Sequence, residues 1–283
     1  MLIDINYDRI RVISSIIRKL GLKFFKDVEI LDPQFNALSK LCNYCSSVAI
    51  LASMNALVSY ELNCRGEKYW NEFSSFMNSY CITMDNSIES MINTIVKFIQ
   101  VSQCNKRYRS VKIERIKKLL SCKDFSDIVM KEPSEVIMKL NKVLAKCLNT
   151  SQVSKTIVFA VKMYYYGHRA CSNIDLTLPM NLPIPVDRRV ALVTYTANLI
   201  NVDHKDSKIF MKYSNTIRRV WSYIANLSNV PPLHIDSFIW IIGKYIDLKK
   251  PKSKVISLIL NELSNIYCKD LERLVRELLF RFN

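Results

Sequence analysis

Two ammonium groups share one face of an otherwise apolar stretch. In Lys155-Thr-Ile-Val-Phe159-Ala-Val-Lys162, residues Lys155, Phe159 and Lys162 fall at i, i+4 and i+7, a single helical face. Ser154 is a favoured N-cap, so a helix is predicted to begin at Lys155. Lysines on a buried face need a partner. That face therefore lines a cleft or meets an acid. A candidate acid is Asp187, which follows Pro183-Ile-Pro-Val. That segment must be extended, because proline disfavours helix in the residue before it. A helix over 188–200 is predicted to start from Asp187. An amine and a carboxylate are the parts needed to displace a base from a sugar through a Schiff base. The amine is the nucleophile, and the carboxylate accepts its proton or stabilises the developing cation.

Such an amine must first lose its proton. At a reference pKa of about 10.4, about 4 in 10,000 lysines are neutral at pH 7. A pKa of about 8 raises that fraction about 200-fold and costs about 3.3 kcal/mol of destabilised ammonium. A helix N-terminus supplies only about 0.3–1 kcal/mol of this. Desolvation or repulsion from Lys162 has to supply the rest. For Asp187 the competing reading is a plain N-cap, and the two roles are compatible, since a cap fixes the carboxylate's orientation. Arg188 and Arg189 either meet phosphates or face water.

Asp236 and Trp240 also share a face, at i and i+4. Trp240 alone would normally be core. Beside an acid it can instead form one wall of a pocket for a planar, hydrogen-bonding ligand, of which a flipped nucleobase is an example.

The elements that position these groups are expected to be helices. The chain has 283 residues, 49% of them hydrophobic, with only four glycines and eight prolines. That is enough apolar material for a large core and too few turn residues for a sandwich or barrel. The fold class is all-α. Periodicity predicts helices over 7–20, stopped by Gly21, and over 33–57, started by Pro33. Further helices are expected after Gly66, over 85–101, from Pro133 to about 149, and over 207–227, 231–243, 253–267 and 269–282.

Lysine and arginine number 41 against 25 acids, a net charge of +16. This predicts attraction to polyanions. No apolar run reaches the roughly 18 residues of a spanning helix. The first residues carry early acids and do not resemble a secretory signal. The expected location is cytoplasmic and nucleoid-associated, with no membrane contact. Residues 106–118 hold an excess of bases over one acid, with Tyr108 interleaved. They either track a phosphate backbone or form a solvated helix face, with Val111, Ile113, Ile116 and Leu119 turned inward. Nine scattered cysteines suggest a reduced compartment. The lone Cys42-x-x-Cys45 reads as core cysteines ahead of metal ligands.

Five segments, in order, resemble the archaeal 8-oxoguanine DNA glycosylase/AP lyase family, a branch of the helix-hairpin-helix glycosylases. They are Asp32-Pro-Gln-Phe, Gly66-Glu-Lys-Tyr-Trp70, Lys155-Thr-Ile-Val-Phe-Ala-Val-Lys-Met, Pro183-Ile-Pro-Val-Asp187 and Pro231-Pro-Leu-His-Ile-Asp-Ser-Phe-Ile-Trp240. The resemblance implies a single glycosylase unit of two helical lobes with a cleft between them, 1–65 with 187–283 and 66–186. The catalytic helix-hairpin-helix would lie near 135–190. It implies that Lys155 attacks C1′ and expels 8-oxoguanine, that elimination then breaks the strand, and that Asp187 is the catalytic aspartate. Gln34, Trp70, Phe159, Lys162, Asp236 and Trp240 match base-pocket positions. The loop 149–154 lacks the hairpin glycines of the wider superfamily. DNA bearing 8-oxoguanine is the expected partner, and a monomer the expected state. No metal or organic cofactor is required by this chemistry. Two other classes fit the charge and helicity: a non-catalytic nucleic-acid-binding protein and a helical scaffold for other proteins.

Overall fold

The computed structural model describes residues 4–82, 84–172, 174–201 and 212–282. Among them the regular structure is helical but for one two-stranded antiparallel ribbon, which pairs Asp4 with Asn201 and Ile5 with Ile200. The helices are α1 (Tyr7–Glu29), α2 (Pro33–Ser39), α3 (Val48–Leu57), α4 (Gly66–Tyr80), α5 (Ile88–Val101), α6 (Arg109–Lys117) and α7 (Lys123–Val129). They continue with α8 (Pro133–Cys147), α9 (Lys155–Cys171), α10 (Arg188–Thr196), α11 (Ser214–Ser228), α12 (Pro232–Gly243), α13 (Lys252–Glu262) and α14 (Lys269–Leu278).

These elements divide into two compact units. One is Met1–Asp32 with Met180–Asn283, and the other is Pro33–Pro179. Residues 33–65 therefore belong with the middle of the chain, not with the terminal lobe as the sequence suggested. The reason is packing, because α3 lies along α9 and α2 lies against α4 and α9.

In the middle unit, Gly167 permits a close approach of α9 to α3. A Cβ there would fall 2.4 Å from the Cα of Ala49, so α9 meets α3 backbone to backbone. The apolar run 33–57 is not one helix. It breaks into α2 and α3 across turns at 40–47, where Leu41 and Cys45 stay buried without helical geometry. Eight of the nine cysteines are joined in four disulfides: Cys42–Cys171, Cys45–Cys81, Cys64–Cys104 and Cys122–Cys147. Their Cα atoms lie 4.8–5.6 Å apart, within the span a disulfide bridges. This overturns the reading of reduced core cysteines. Cys42 and Cys45 pair with different partners, and only Cys268 is free. Disulfides belong to oxidising compartments and also to intracellular proteins of hyperthermophiles. All four lie in the middle unit.

In the terminal unit, α1 runs past the expected stop at Gly21. That glycine does leave helical geometry, at φ 71°, but the chain re-enters a helix at once and continues to Glu29. Helix α1 packs on α11, α12 and α14, and α10 packs on α12. The core includes Ile10, Ile13, Ile17, Trp221, Phe238 and Leu274. Helix α10 stops at Thr196, short of the expected 200, because Asn198 takes a left-handed backbone (φ 55°) and the chain turns into the ribbon. Of the expected helix 207–227, residues 207–211 lie outside the described residues. The remainder is α11. No helix among the described residues is long and apolar enough to cross a membrane.

Candidate active site

Helix α9 starts at Lys155, as its sequence requires, after Ser154 in extended geometry. The expected side-chain cap is not formed. Ser154 Oγ is buried and has no hydrogen-bond partner. The loop before it holds Asn149 at φ 46°, a left-handed conformation that asparagine tolerates. Thr150 N–H donates to Ala145 O at 2.9 Å and closes the end of α8, which packs on α9.

The i, i+4, i+7 face of α9 sinks from solvent into the protein. Lys155 is exposed, Phe159 is half-buried and Lys162 is 1% exposed. The Lys162 ammonium sits 5.3 Å from the centre of the Tyr166 ring, one turn further along, in cation–π range. Trp70 of α4 is buried and meets Phe159 edge to face at 6.1 Å, with Phe73 behind it at 5.6 Å. Gln34 is buried at the start of α2, next to Phe35, whose ring meets Tyr166 at 5.4 Å. The middle unit thus brings together Lys155, Phe159, Lys162 and Trp70, with Gln34 on a helix packed against both α4 and α9.

The terminal unit carries the remaining three candidates. Asp187 is an N-cap, and its Oδ1 accepts from the backbone N–H of Arg189 and of Val190, each at 2.9 Å. A single oxygen takes both bonds, which leaves Oδ2 outside the cap. Arg189 packs against α12. Its guanidinium lies 4.0 Å from the centre of the Trp240 indole and donates to Trp240 O at 3.1 Å. Gly243 makes room for it, since a Cβ there would fall 2.8 Å from Arg189 Cβ. Arg188 stays exposed. Asp236 is buried one turn before Trp240 on α12. That helix is fixed to α1 by a fully buried pair, His234 Nδ1 and Glu29 Oε1, 2.6 Å apart. Sequence reasoning missed this pair. The two residues are 205 positions apart, and neither shows its burial in a local pattern.

The basic stretch 106–118 is mixed. Lys106, Arg107, Lys117 and Lys118 are exposed, and Tyr108 is 60% exposed at φ 55°. Val111 points outward, contrary to expectation, and Lys112 is fully buried. The Lys112 ammonium donates to Asn105 Oδ1 at 2.8 Å and lies 4.8 Å from the Tyr60 ring centre. Desolvation pulls its pKa down to about 8, against the opposing charge of Glu61. Asn105 in turn donates to the hydroxyl of Tyr69, which bonds Asn55 of α3. Among the described residues, no cluster of His, Cys, Asp and Glu is arranged to hold a metal.

Comparison with known proteins agrees over nearly the full length. The model of the family described as AGOG: N-glycosylase/DNA lyase matches residues 14–278. The N-glycosylase/DNA lyase of Methanococcus maripaludis is 31% identical over 258 residues, covering 88% of this chain and 94% of that protein. The N-glycosylase/DNA lyase of Nanoarchaeum equitans is also 31% identical, over 83% of this chain and 92% of its own length. In fold, the chain is similar to the 8-oxoguanosine complex of Pa-AGOG, the 8-oxoguanine DNA glycosylase of Pyrobaculum aerophilum. The TM-score is 0.74 at 22% identity, covering 98% of each chain. The chain belongs to the AGOG family of N-glycosylase/DNA lyases.

Proposed function

We propose that this N-glycosylase/DNA lyase excises 8-oxoguanine, with Lys155 as nucleophile and Asp187 as its acid–base partner. The observation that carries the reading is the graded face of α9, with an exposed amine at the helix start, a half-buried ring one turn on and an enclosed ammonium beyond. The amine attacks C1′ of the damaged nucleotide, and the C1′–N9 bond breaks as 8-oxoguanine leaves with its bonding pair. Opening of the C1′–O4′ bond then gives the imine. Loss of a C2′ proton expels the 3′ phosphate and cuts the strand. Asp187 accepts the amine's proton through the oxygen its cap leaves over.

The base pocket would take its polar contacts from Gln34, Lys162 and Asp236, and its flat walls from Trp70, Phe159 and Trp240. 8-Oxoguanine differs from guanine by a carbonyl at C8 and a proton at N7, so donors and acceptors at that edge can discriminate. Flipping costs a few kcal/mol, which stacking and hydrogen bonds in such a pocket offset. The expected working form is a monomer acting on chromosomal DNA at the nucleoid.

Borohydride trapping on an oligonucleotide with one 8-oxoguanine tests the reading. A covalent adduct with wild type, absent with Lys155→Gln, supports Lys155. An adduct in both moves the nucleophile elsewhere, and its absence in both would sink imine chemistry for this chain.

A further inference from the structure

Helix α6 reaches the start of the catalytic helix through one side chain. Arg115 Nη2 donates to Thr156 Oγ1 at 2.9 Å, and Thr156 is the residue after Lys155. The rest of this guanidinium is poorly served. Its Nε–H is buried without an acceptor, and it makes no ion pair with an acid among the described residues. Tyr60 is its polar neighbour, close enough to interact electrostatically. Burial lowers the Arg115 pKa from its ordinary value, which marks a desolvated cation. Ser154 Oγ, the residue before Lys155, is a second buried and unsatisfied donor. An unmet buried donor costs about 1–3 kcal/mol, which an acceptor brought by a ligand would recover. Here one belongs to the residue before the proposed nucleophile, and the other to an arginine that bonds the residue after it and has no acidic partner among the described residues.

We propose that Arg115 is a positioning residue: it grips a backbone phosphate of the lesion strand and, through Thr156, holds the neighbouring sugar in register with Lys155. The guanidinium fork matches phosphate oxygens, and its tie to Thr156 fixes it before DNA arrives. The exposed Lys106, Arg107, Lys117 and Lys118 on the same segment would track the strand on either side. The link to the sugar rests on the reading of Lys155, whereas the phosphate grip does not.

The test uses the full chain and an oligonucleotide carrying a tetrahydrofuran abasic analogue, which cannot form an imine. Affinity is measured from 50 to 300 mM KCl. Arg115→Gln is expected to bind about 10-fold more weakly near 100 mM, with a log–log salt slope shallower by about 0.7–0.9, the release of one phosphate's counterions. Single methylphosphonates are then placed along the strand. One position should weaken wild type and leave Arg115→Gln unchanged. Thr156→Val should keep the salt slope and slow borohydride-trapped adduct formation on 8-oxoguanine about 10-fold. An unchanged slope with additive methylphosphonate losses would overturn the proposal, because a purely structural arginine behaves that way. Should Arg115→Gln fail to fold, Arg115→Lys takes its place. It must then keep the sensitive phosphate position and lower the trapping rate, and failure of either counts against the proposal. A Lys155→Gln variant that still forms an adduct would remove the nucleophile reading and leave the phosphate result standing.

Discussion

The indole of Trp70 meets the ring of Phe159 edge to face, 6.1 Å between centroids, one turn along α9 from Lys155. Trp70 is itself buried against Phe73, so Phe159 is braced from behind. Phe159→Ala removes the wall proposed for the base pocket and leaves the amine. Base stacking on an aromatic is worth about 1–3 kcal/mol. Single-turnover excision of 8-oxoguanine is expected to fall roughly 5–150-fold. Cleavage of a preformed abasic site, which has no base to stack, should change far less, and Trp240→Ala should behave in the same way. Equal losses on the two substrates would remove these rings from the pocket.

In the role proposed for Asp187, structure and chemistry fall on different oxygen atoms. An amide still offers the one oxygen that caps Arg189 and Val190. Asp187→Asn should therefore unfold within about 0.5 kcal/mol of wild type. It should lose at least about 100-fold in single-turnover excision if the carboxylate moves the proton. Asp187→Ala should lose both, with about 1 kcal/mol from the missing cap. Full activity in Asp187→Asn would leave only the cap.

Glu29 and His234 make a different prediction, confined to stability. Both side chains are fully buried, and α12 carries Asp236 and Trp240. Removing one partner of such a pair typically costs about 3–5 kcal/mol. Glu29→Ala should show this in denaturant unfolding. A cost under about 1 kcal/mol would mean that water or a neighbour takes the place of the carboxylate.

Lys112 gives a pH signature. Its folded pKa, about 8, lies below the ordinary 10.5. Between these values the unfolded chain holds a proton that the folded chain has released, so stability rises with pH. From pH 7 to 9 the gain is about 1 kcal/mol. Thermal unfolding should show the rise in wild type and lose it in Lys112→Met. A flat wild-type profile would mean that the ammonium is better solvated than its burial implies.

Much of this was legible. The cap at Asp187 and the span of α12 follow from Asp187 after its prolines and from Pro231 and Gly243, all local signals, and α9 starts after Ser154 as expected but without its side-chain cap. What was not legible depends on distant partners. The turns at 40–47 keep Leu41 and Cys45 buried, so hydrophobicity continues where the helix does not. Lys112 looked like one more surface base until Asn105 and Tyr60 were placed around it. The disulfides join residues 25 to 129 positions apart, and spacing alone does not choose among their pairings.

The longest of those bridges alters the connectivity of the other unit. Cys42–Cys171 ties the two ends of the middle unit together near its boundaries with the terminal one. From Asp32 the covalent path to Met180 no longer runs the whole way through the middle. It runs along 33–42, across one sulfur–sulfur bond and along 171–179. The terminal unit, assembled from two distant pieces of sequence, is therefore a short-loop problem for an oxidised chain and a long-loop problem for a reduced one. By loop-closure entropy the difference is about 2 kcal/mol. A bond that touches neither Asp187 nor Trp240 thus helps α1 find α11 and α12.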